Sequence, residues 1–215
     1  MKKRILSMVL VVLLLCSMLS ISAFASPADP TVTVYITTGM FTQGGYANGA
    51  PVIQTYKTNE NPANHLMSGY TAITFNMSSI NTTSTRAFYN SSLTGPANVL
   101  DAIIHAVQVA GQTPSCGWDG SWYPYGGYIN SFSPDGVPTY NTPYSDPKVE
   151  GGVTVNYTVY SGTGLKVACT QEFEDEDTGT TYTVLDETAY YATNYPLLDN
   201  MTIVLDYGPY VIYYA

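Results

Sequence analysis

Aromatic side chains concentrate in one short segment, CGWDGSWYPYGGYIN, which begins at Cys116 and holds both tryptophans of the chain. Glycine, aspartate, serine and proline surround the rings, which is typical of a surface loop. Exposed rings on a loop stack on sugar rings or on a flat ligand, and they dominate binding hot spots. The alternative is that the rings cap the open end of a sheet. The candidate ligand-binding residues are Trp118, Trp122, Tyr123 and Tyr125.

The residues available for acid–base or nucleophilic catalysis are few. The chain has two histidines: His65 lies in a polar loop, and His105 lies on a predicted helix, opposite its apolar side. We expect both to be exposed, with His105 pairing with Asp101 one helical turn earlier. No serine stands in a G-x-S-x-G motif, and neither Cys116 nor Cys169 has an identifiable base. The sequence therefore predicts no catalytic residue and no enzyme.

Acidic residues cluster in the run EFEDEDTG, where a calcium loop is the functional interpretation. The EF-hand spacing fails, because a loop beginning at Asp175 puts Gly179 at the fifth position instead of the sixth. A hairpin turn at Asp177-Thr178-Gly179 explains the run without a ligand, and no His/Cys spacing suits zinc. We predict no metal and no cofactor. Two carboxylates can hydrolyse glycosidic bonds without histidine, so an extracellular polysaccharide hydrolase is the alternative function.

The N-terminus has the pattern of a secretory signal peptide over residues 1–25. A basic start, MKKR, precedes a long apolar run and the small-residue exit AFA. A retained membrane anchor is the alternative interpretation. The chain carries sixteen acidic residues against seven basic ones, a formal net charge of −9, which disfavours nucleic acid and anionic membranes as partners. We predict a secreted protein that leaves the membrane after cleavage.

Two cysteines remain once the leader is removed, because Cys16 lies within it. In a secreted chain, Cys116 and Cys169 indicate a single disulfide. Two unpaired buried thiols are the alternative, since no geometry is visible in a sequence.

One helix is predicted at about 96–110 by the segment PANVLDAIIHAVQVAG. Pro96 suits the first turn of a helix, and Gly111 is a stop signal. The apolar residues fall on one arc of the helix, so this face packs on a sheet. They are Val99, Leu100, Ile103, Ile104 and Val107.

Threonine- and tyrosine-rich segments predict strands on both sides of this helix. The first three are Thr31–Thr38, Tyr70–Met77 and Gly127–Phe132. Farther on, VTVNYTVYSG and LKVACTQEF predict two strands separated by glycines, and NMTIVLDY and YVIYYA predict two more separated by Gly208-Pro209. One main helix against several strands indicates an α+β fold.

Three short motifs then suggest a family. NVLDAI begins at Asn98, GYINSF at Gly127 and LDNMTI at Leu198. In this order they resemble the secreted bacterial domains related to the C-terminal domain of transcobalamin and intrinsic factor. The resemblance implies one β-grasp-like domain over 26–215 with a mixed sheet, and a precedent of cobalamin contact. The family's GW-x-Y-x-V-N-G strand is missing, so residues 133–195 are interpreted as a β-rich insertion or extension.

These observations predict a secreted, non-catalytic binding or interaction module. Its partner would be a corrin-like small molecule, a glycan or another extracellular protein. The first is implied by the resemblance, and the second is suggested by tryptophan and tyrosine on a loop.

Overall fold

The computed structural model describes residues 29–121, 126–188 and 191–215. The predicted leader, 1–25, lies outside these ranges. No helix within them is long and apolar enough to cross a membrane.

Strands dominate the described part of the chain. In chain order they are β1 (Thr31–Thr37), β2 (Gly45–Ala47), β3 (Ala50–Val52), β4 (Ile73–Asn76), β5 (Thr113–Asp119), β6 (Gly126–Ser133), β7 (Thr139–Tyr140), β8 (Tyr144–Glu150), β9 (Val153–Glu174), β10 (Thr181–Glu187) and β11 (Met201–Tyr214). The large sheet has the order β10-β9-β11-β1-β4, and β7 and β8 also pair with β9. Strand β1 runs parallel to β11, and the other pairs in this sheet are antiparallel. Two short ribbons, β2–β3 and β5–β6, complete the described strands.

Two α-helices are present among the described residues, α1 (Thr82–Arg86) and α2 (Val99–Val109). Helix α2 forms where the apolar periodicity predicts a helix, and a capping box between Asn98 and Asp101 fixes its first turn. Its apolar face is fully buried with alternate residues of β1 and β11. The core therefore lies between α2 and one face of the large sheet.

The α+β prediction is wrong. The described structure is 50% strand and 14% helix, so it is a β-rich fold built on one large mixed sheet. The error has a physical source: the long segment from residue 139 to residue 187 pairs almost throughout as strands around β9. Helix α2 covers one face of this sheet and is not a layer of comparable size.

The predicted breaks in the last strands are also absent. Both β9 and β11 run without interruption past their glycines, and Gly208 pairs with Gly164. The Pro209 carbonyl accepts a hydrogen bond from Gln54 Nε2 at 2.8 Å. Since the carbonyl and the nitrogen of a strand residue point the same way, the proline ring faces away from β9 and costs the ladder no hydrogen bond.

A buried charge network ties α1 to α2. The Asp101 carboxylate, fully buried, accepts hydrogen bonds from Thr85, from the Tyr89 hydroxyl at 2.9 Å and from the Arg86 guanidinium at 3.3 Å. The Arg86 guanidinium also donates to the backbone carbonyls of Leu93 and Pro96. The buried Arg86 side chain therefore holds the backbone of the segment between the two helices in place.

The predicted surface pair of Asp101 and His105 is wrong. Asp101 is directed to Arg86, and His105 is half-buried with its ring 4.6 Å from that of Phe75. Burial lowers the pKa of His105. His65 contacts Glu60, with 2.5 Å between Nε2 and Oε2.

The predicted disulfide is wrong as well. Cys116 and Cys169 are free, and they lie on separate sheets, in β5 and in β9. Each packs as an apolar side chain of the core, and burial raises the pKa of each thiol to about 12.

The acidic turn is confirmed as a structural hairpin. Asp175 Oδ1 accepts from the backbone nitrogens of Asp177 and Thr178, and Gly179 N donates to the Asp175 carbonyl at 2.7 Å. The turn joins β9 to β10.

Removing the cation of the buried network is expected to be costly. Arg86→Met leaves the Asp101 carboxylate buried without its charge partner, so the free energy of unfolding should fall by about 3–5 kcal/mol. Urea denaturation measures it. Lys57→Met, which breaks an exposed pair with Glu60, is the control and should cost less than about 1 kcal/mol. Equal effects would contradict a special role for the buried pair.

The thiols are expected to be unreactive in the folded protein. At pH 8 a thiol with a pKa near 12 holds almost no thiolate, which is the reactive form, so iodoacetamide should leave Cys116 and Cys169 unmodified. In urea without reductant both should be alkylated, as read from peptide masses. Peptides that stay unmodified in urea until a reductant is added would show a bridge.

Candidate functional site

Tyrosine rings cover one face of the large sheet at the C-terminal end of β11. Side chains alternate between faces along a strand, so Tyr210, Ile212 and Tyr214 of β11 share a face. Tyr160 lies opposite Ile212 on β9, and Tyr140 of β7 extends the row. We call these five residues the tyrosine platform. Their surfaces are partly exposed and together border an open depression.

Ring contacts hold the platform in shape. Tyr140 and Tyr210 meet edge to face with centroids 6.4 Å apart, and Tyr160 and Tyr214 do so at 5.5 Å. These are favourable geometries for aromatic pairs. The platform thus presents aromatic rings that are held in place before any partner arrives.

A cavity of about 320 Å³ opens at one end of the platform and shares Tyr140, Tyr210 and Ile212 with it. This volume lies at the lower end of the range for small-molecule sites. Three of the lining residues are glycines, Gly39, Gly164 and Gly208, so no side chain fills the space beside them.

A second cavity of about 210 Å³ continues from the first. The two share Phe41, Tyr128, Ile129, Leu165 and Lys166. The platform and the two cavities therefore form one continuous depression across β9 and β11, which we call the groove.

The floor of the groove holds a buried carboxylate. Asp206 is 3% exposed, and its Oδ1 accepts hydrogen bonds from Thr37 Oγ1 at 2.8 Å and from Met40 N at 3.0 Å. Within the described ranges, Oδ2 has no hydrogen-bond donor. The Oδ2 atom lies on the side of Gly208, 3.5 Å from where a Cβ at that residue would be.

Lys166 lies directly opposite Asp206 in the ladder between β9 and β11. Its ammonium is over the Phe41 ring, 5.4 Å from the centroid. No carboxylate of the described residues lies within ion-pair distance of it. Burial lowers the pKa of Lys166, while Glu187 and Asp206 act in the opposite direction. The groove therefore contains an ammonium and a carboxylate side by side and unpaired.

Two more polar groups beside the groove lack partners. Gln54 is 5% exposed and lines the first cavity; its Nε2 is bound to Pro209, but no described residue donates to Oε1. The buried Tyr56 hydroxyl also has no partner among the described atoms. Burial, with smaller contributions from Asp206 and Asp186, raises the pKa of Tyr56 to about 12.

The sequence-predicted aromatic residues are only partly placed. Trp118 lies on β5, is 37% exposed, and stacks on Tyr89 with ring centroids 6.4 Å apart at 16°. It is not among the residues that line the groove. Trp122, Tyr123 and Tyr125 lie outside the described residues. A neighbour of that segment, Tyr128 of β6, does line both cavities.

Sequence reasoning missed the groove, although one signal was present. In YGPYVIYY the residues Tyr210, Ile212 and Tyr214 recur with a period of two, which marks one face of a strand. Because the sequence predicts a break at Gly208-Pro209, this period is not recognised as part of one long strand. Asp206 and Lys166 give no local signal, since only the register between β9 and β11 brings them together.

No cluster of three or more metal-ligating side chains occurs among the described residues. The comparisons with known proteins also return nothing: no family model, curated protein or solved structure matches the chain.

Removing the unpartnered phenol beside the cavity is expected to stabilise the protein. Tyr56→Phe deletes a buried hydroxyl that has no acceptor or donor, so the free energy of unfolding should rise by about 1 kcal/mol or more. Between pH 10 and pH 12 a Tyr56 phenol ionises in the unfolded chain but not in the folded one, which lowers stability as pH rises. Urea denaturation across this range should show a smaller loss for the variant; a less stable variant at neutral pH would contradict the prediction.

Proposed function

We propose that this protein is a secreted, non-catalytic module that binds a saccharide chain in the groove. The observation that carries the proposal is the tyrosine platform running into a cavity that holds unpaired polar groups. Aromatic faces and hydrogen-bonding groups side by side suit a ligand that has both apolar faces and many hydroxyls.

The platform supplies the apolar part of recognition. A pyranose ring has faces covered by C–H groups, which are attracted to the negative face of an aromatic ring and are shielded from water there. Tyrosines provide this area with little loss of side-chain freedom. Because the rings of the platform follow one another along β9 and β11, they favour an extended chain over a single compact molecule.

Charge favours a neutral saccharide. The whole chain has a formal net charge of −9, and the groove itself contains Asp206 and Glu187 against Lys166. A polyanion would be repelled at a distance by the net negative charge of the chain and, within the groove, by Asp206 and Glu187. The sequence of residues 1–25 supports secretion. The resemblance to transcobalamin-related domains stays a prediction about the family of the chain.

Affinity electrophoresis in gels that contain neutral glucans, mannans or galactans tests the proposal, with a polyuronate and chitosan as charged comparators. We expect retardation by a neutral polysaccharide. Tyr140→Ala and Tyr160→Ala should each weaken binding about 5- to 30-fold, the effect of losing a hot-spot ring. Tyr182→Ala is the matched control, because Tyr182 of β10 is 50% exposed, between Tyr160 at 42% and Tyr140 at 75%, and is not among the residues that line the groove.

Each other outcome contradicts a defined part of the proposal. If all three variants bind the polysaccharide as tightly as the wild type, the tyrosine platform of the groove is not the binding site. A spectral shift of cobalamin without retardation by any polysaccharide would favour the corrinoid that the resemblance implies. Release of reducing ends from a bound polysaccharide would show that the module is catalytic.

A further inference from the structure

We propose that Asp206 and Lys166 act together to recognise adjacent hydroxyl groups of one sugar unit, and so select the ligand within the groove. Asp206 would accept a hydrogen bond from one hydroxyl, and Lys166 would donate to the oxygen of its neighbour. This inference rests on the proposed function, since it names the part of a saccharide that the cavity reads.

The two residues are neighbours that do not satisfy each other. Residues directly opposite in an antiparallel pair have Cβ atoms about 4.5–5.5 Å apart, and Asp206 lies opposite Lys166. An ion pair is therefore the default arrangement. Instead, Thr37 and Met40 hold the carboxylate by Oδ1, and the ammonium lies over the Phe41 ring.

The groups left over have complementary chemistry. Asp206 offers a free acceptor, Oδ2, and Lys166 offers N–H donors, and both line the first cavity. A hydroxyl is both a donor and an acceptor. Of two adjacent hydroxyls, one can therefore donate to Asp206 Oδ2 while the oxygen of the other accepts from the Lys166 ammonium. Hydrogen bonds to charged groups are stronger than those between neutral groups.

The surroundings argue against a charged ligand at this point. A ligand carboxylate near Lys166 would also meet Asp206, and Glu187 lines the second cavity. A ligand ammonium would meet Lys166. A neutral polyol avoids both repulsions and satisfies both charges, and the lone Gln54 Oε1 in the same wall adds a further acceptor beside them.

A thermodynamic cycle between protein and ligand tests the inference. Isothermal titration compares the cello-, manno- or galacto-oligosaccharide that binds best with its fully O-methylated form. Methylation keeps the rings and removes every O–H donor, so wild-type affinity should fall about 10- to 100-fold. Asp206→Asn should lose a similar factor with the free oligosaccharide and little more with the methylated one, because methylation removes the hydroxyl donor and the substitution removes its acceptor, so the two changes remove one interaction.

Asp206→Asn keeps the shape and the hydrogen-bond acceptor for Met40. Lys166→Met should weaken binding of the free and the methylated oligosaccharide by about the same factor, because an ether oxygen still accepts a hydrogen bond from the lysine. Lys148→Met is the control, because Lys148 pairs with Asp146 outside the groove, and it should bind as the wild type does. Thermal melting of each variant separates lost binding from lost folding, and Lys166→Leu, which also has no donor, replaces Lys166→Met if that variant is unfolded.

The outcomes separate this inference from the proposed function. Equal affinity of the wild type for the free and methylated oligosaccharides overturns hydroxyl recognition and leaves saccharide binding in place. Additive effects of methylation and of Asp206→Asn would show that the carboxylate does not accept from a ligand hydroxyl, and unchanged affinity of Lys166→Met for the free oligosaccharide would show that the lysine does not contact the ligand. If no oligosaccharide binds the wild type, the proposed function and this inference both fail.

Discussion

The antiparallel ladder between β9 and β11 is the constraint on which the rest of the structure depends. It runs from Cys169 opposite Ile203 to Thr158 opposite Tyr214, far beyond the end of β1. The first part of the ladder buries Ile203 and Leu205 under helix α2. The second part extends past that core and carries the tyrosine platform. One pair of strands thus supplies both the stable centre and the surface that is open to a partner.

The point where the ladder leaves the core explains where the groove lies. Strand β1 ends at Thr37, opposite Asp206, so β11 loses its neighbour on that side. The chain then turns through Gly39 and returns as the β2–β3 ribbon, and Gly44 lies so close to the Val211 carbonyl that a Cβ would clash with it. The first cavity lies beside this point: Gly39 and Phe41, which precede the ribbon in the chain, and Gln54, which follows it, line the cavity with Asp206 at its floor.

Local sequence patterns were sufficient to locate single helices and strands, but they were insufficient to predict how these elements pair and pack. The 3.6-residue period located helix α2, and the alternation of TVTVYITT located β1. Gly208-Pro209 was interpreted as a break because a proline inside a strand usually ends its pairing. Whether it does so depends on which edge the proline faces, and only the partner strand decides this. Asp101 was assigned to the surface for a similar reason, since its partner Arg86 lies on another helix. The groove depends in the same way on register, and register is a long-range property.

The parallel pairing of β1 with β11 also has a consequence in time. The two strands stand at opposite ends of the described chain, yet β11 lies in the middle of the sheet, between β9 and β1. Because contacts between residues distant in sequence form slowly, we expect the pairing of β1 with β11 to be among the slow steps of folding. Until β11 takes its place, β1 has only β4 as a partner among the described strands of this sheet and β9 has its other neighbours, so the two parts of the sheet are joined only when β11 inserts between them.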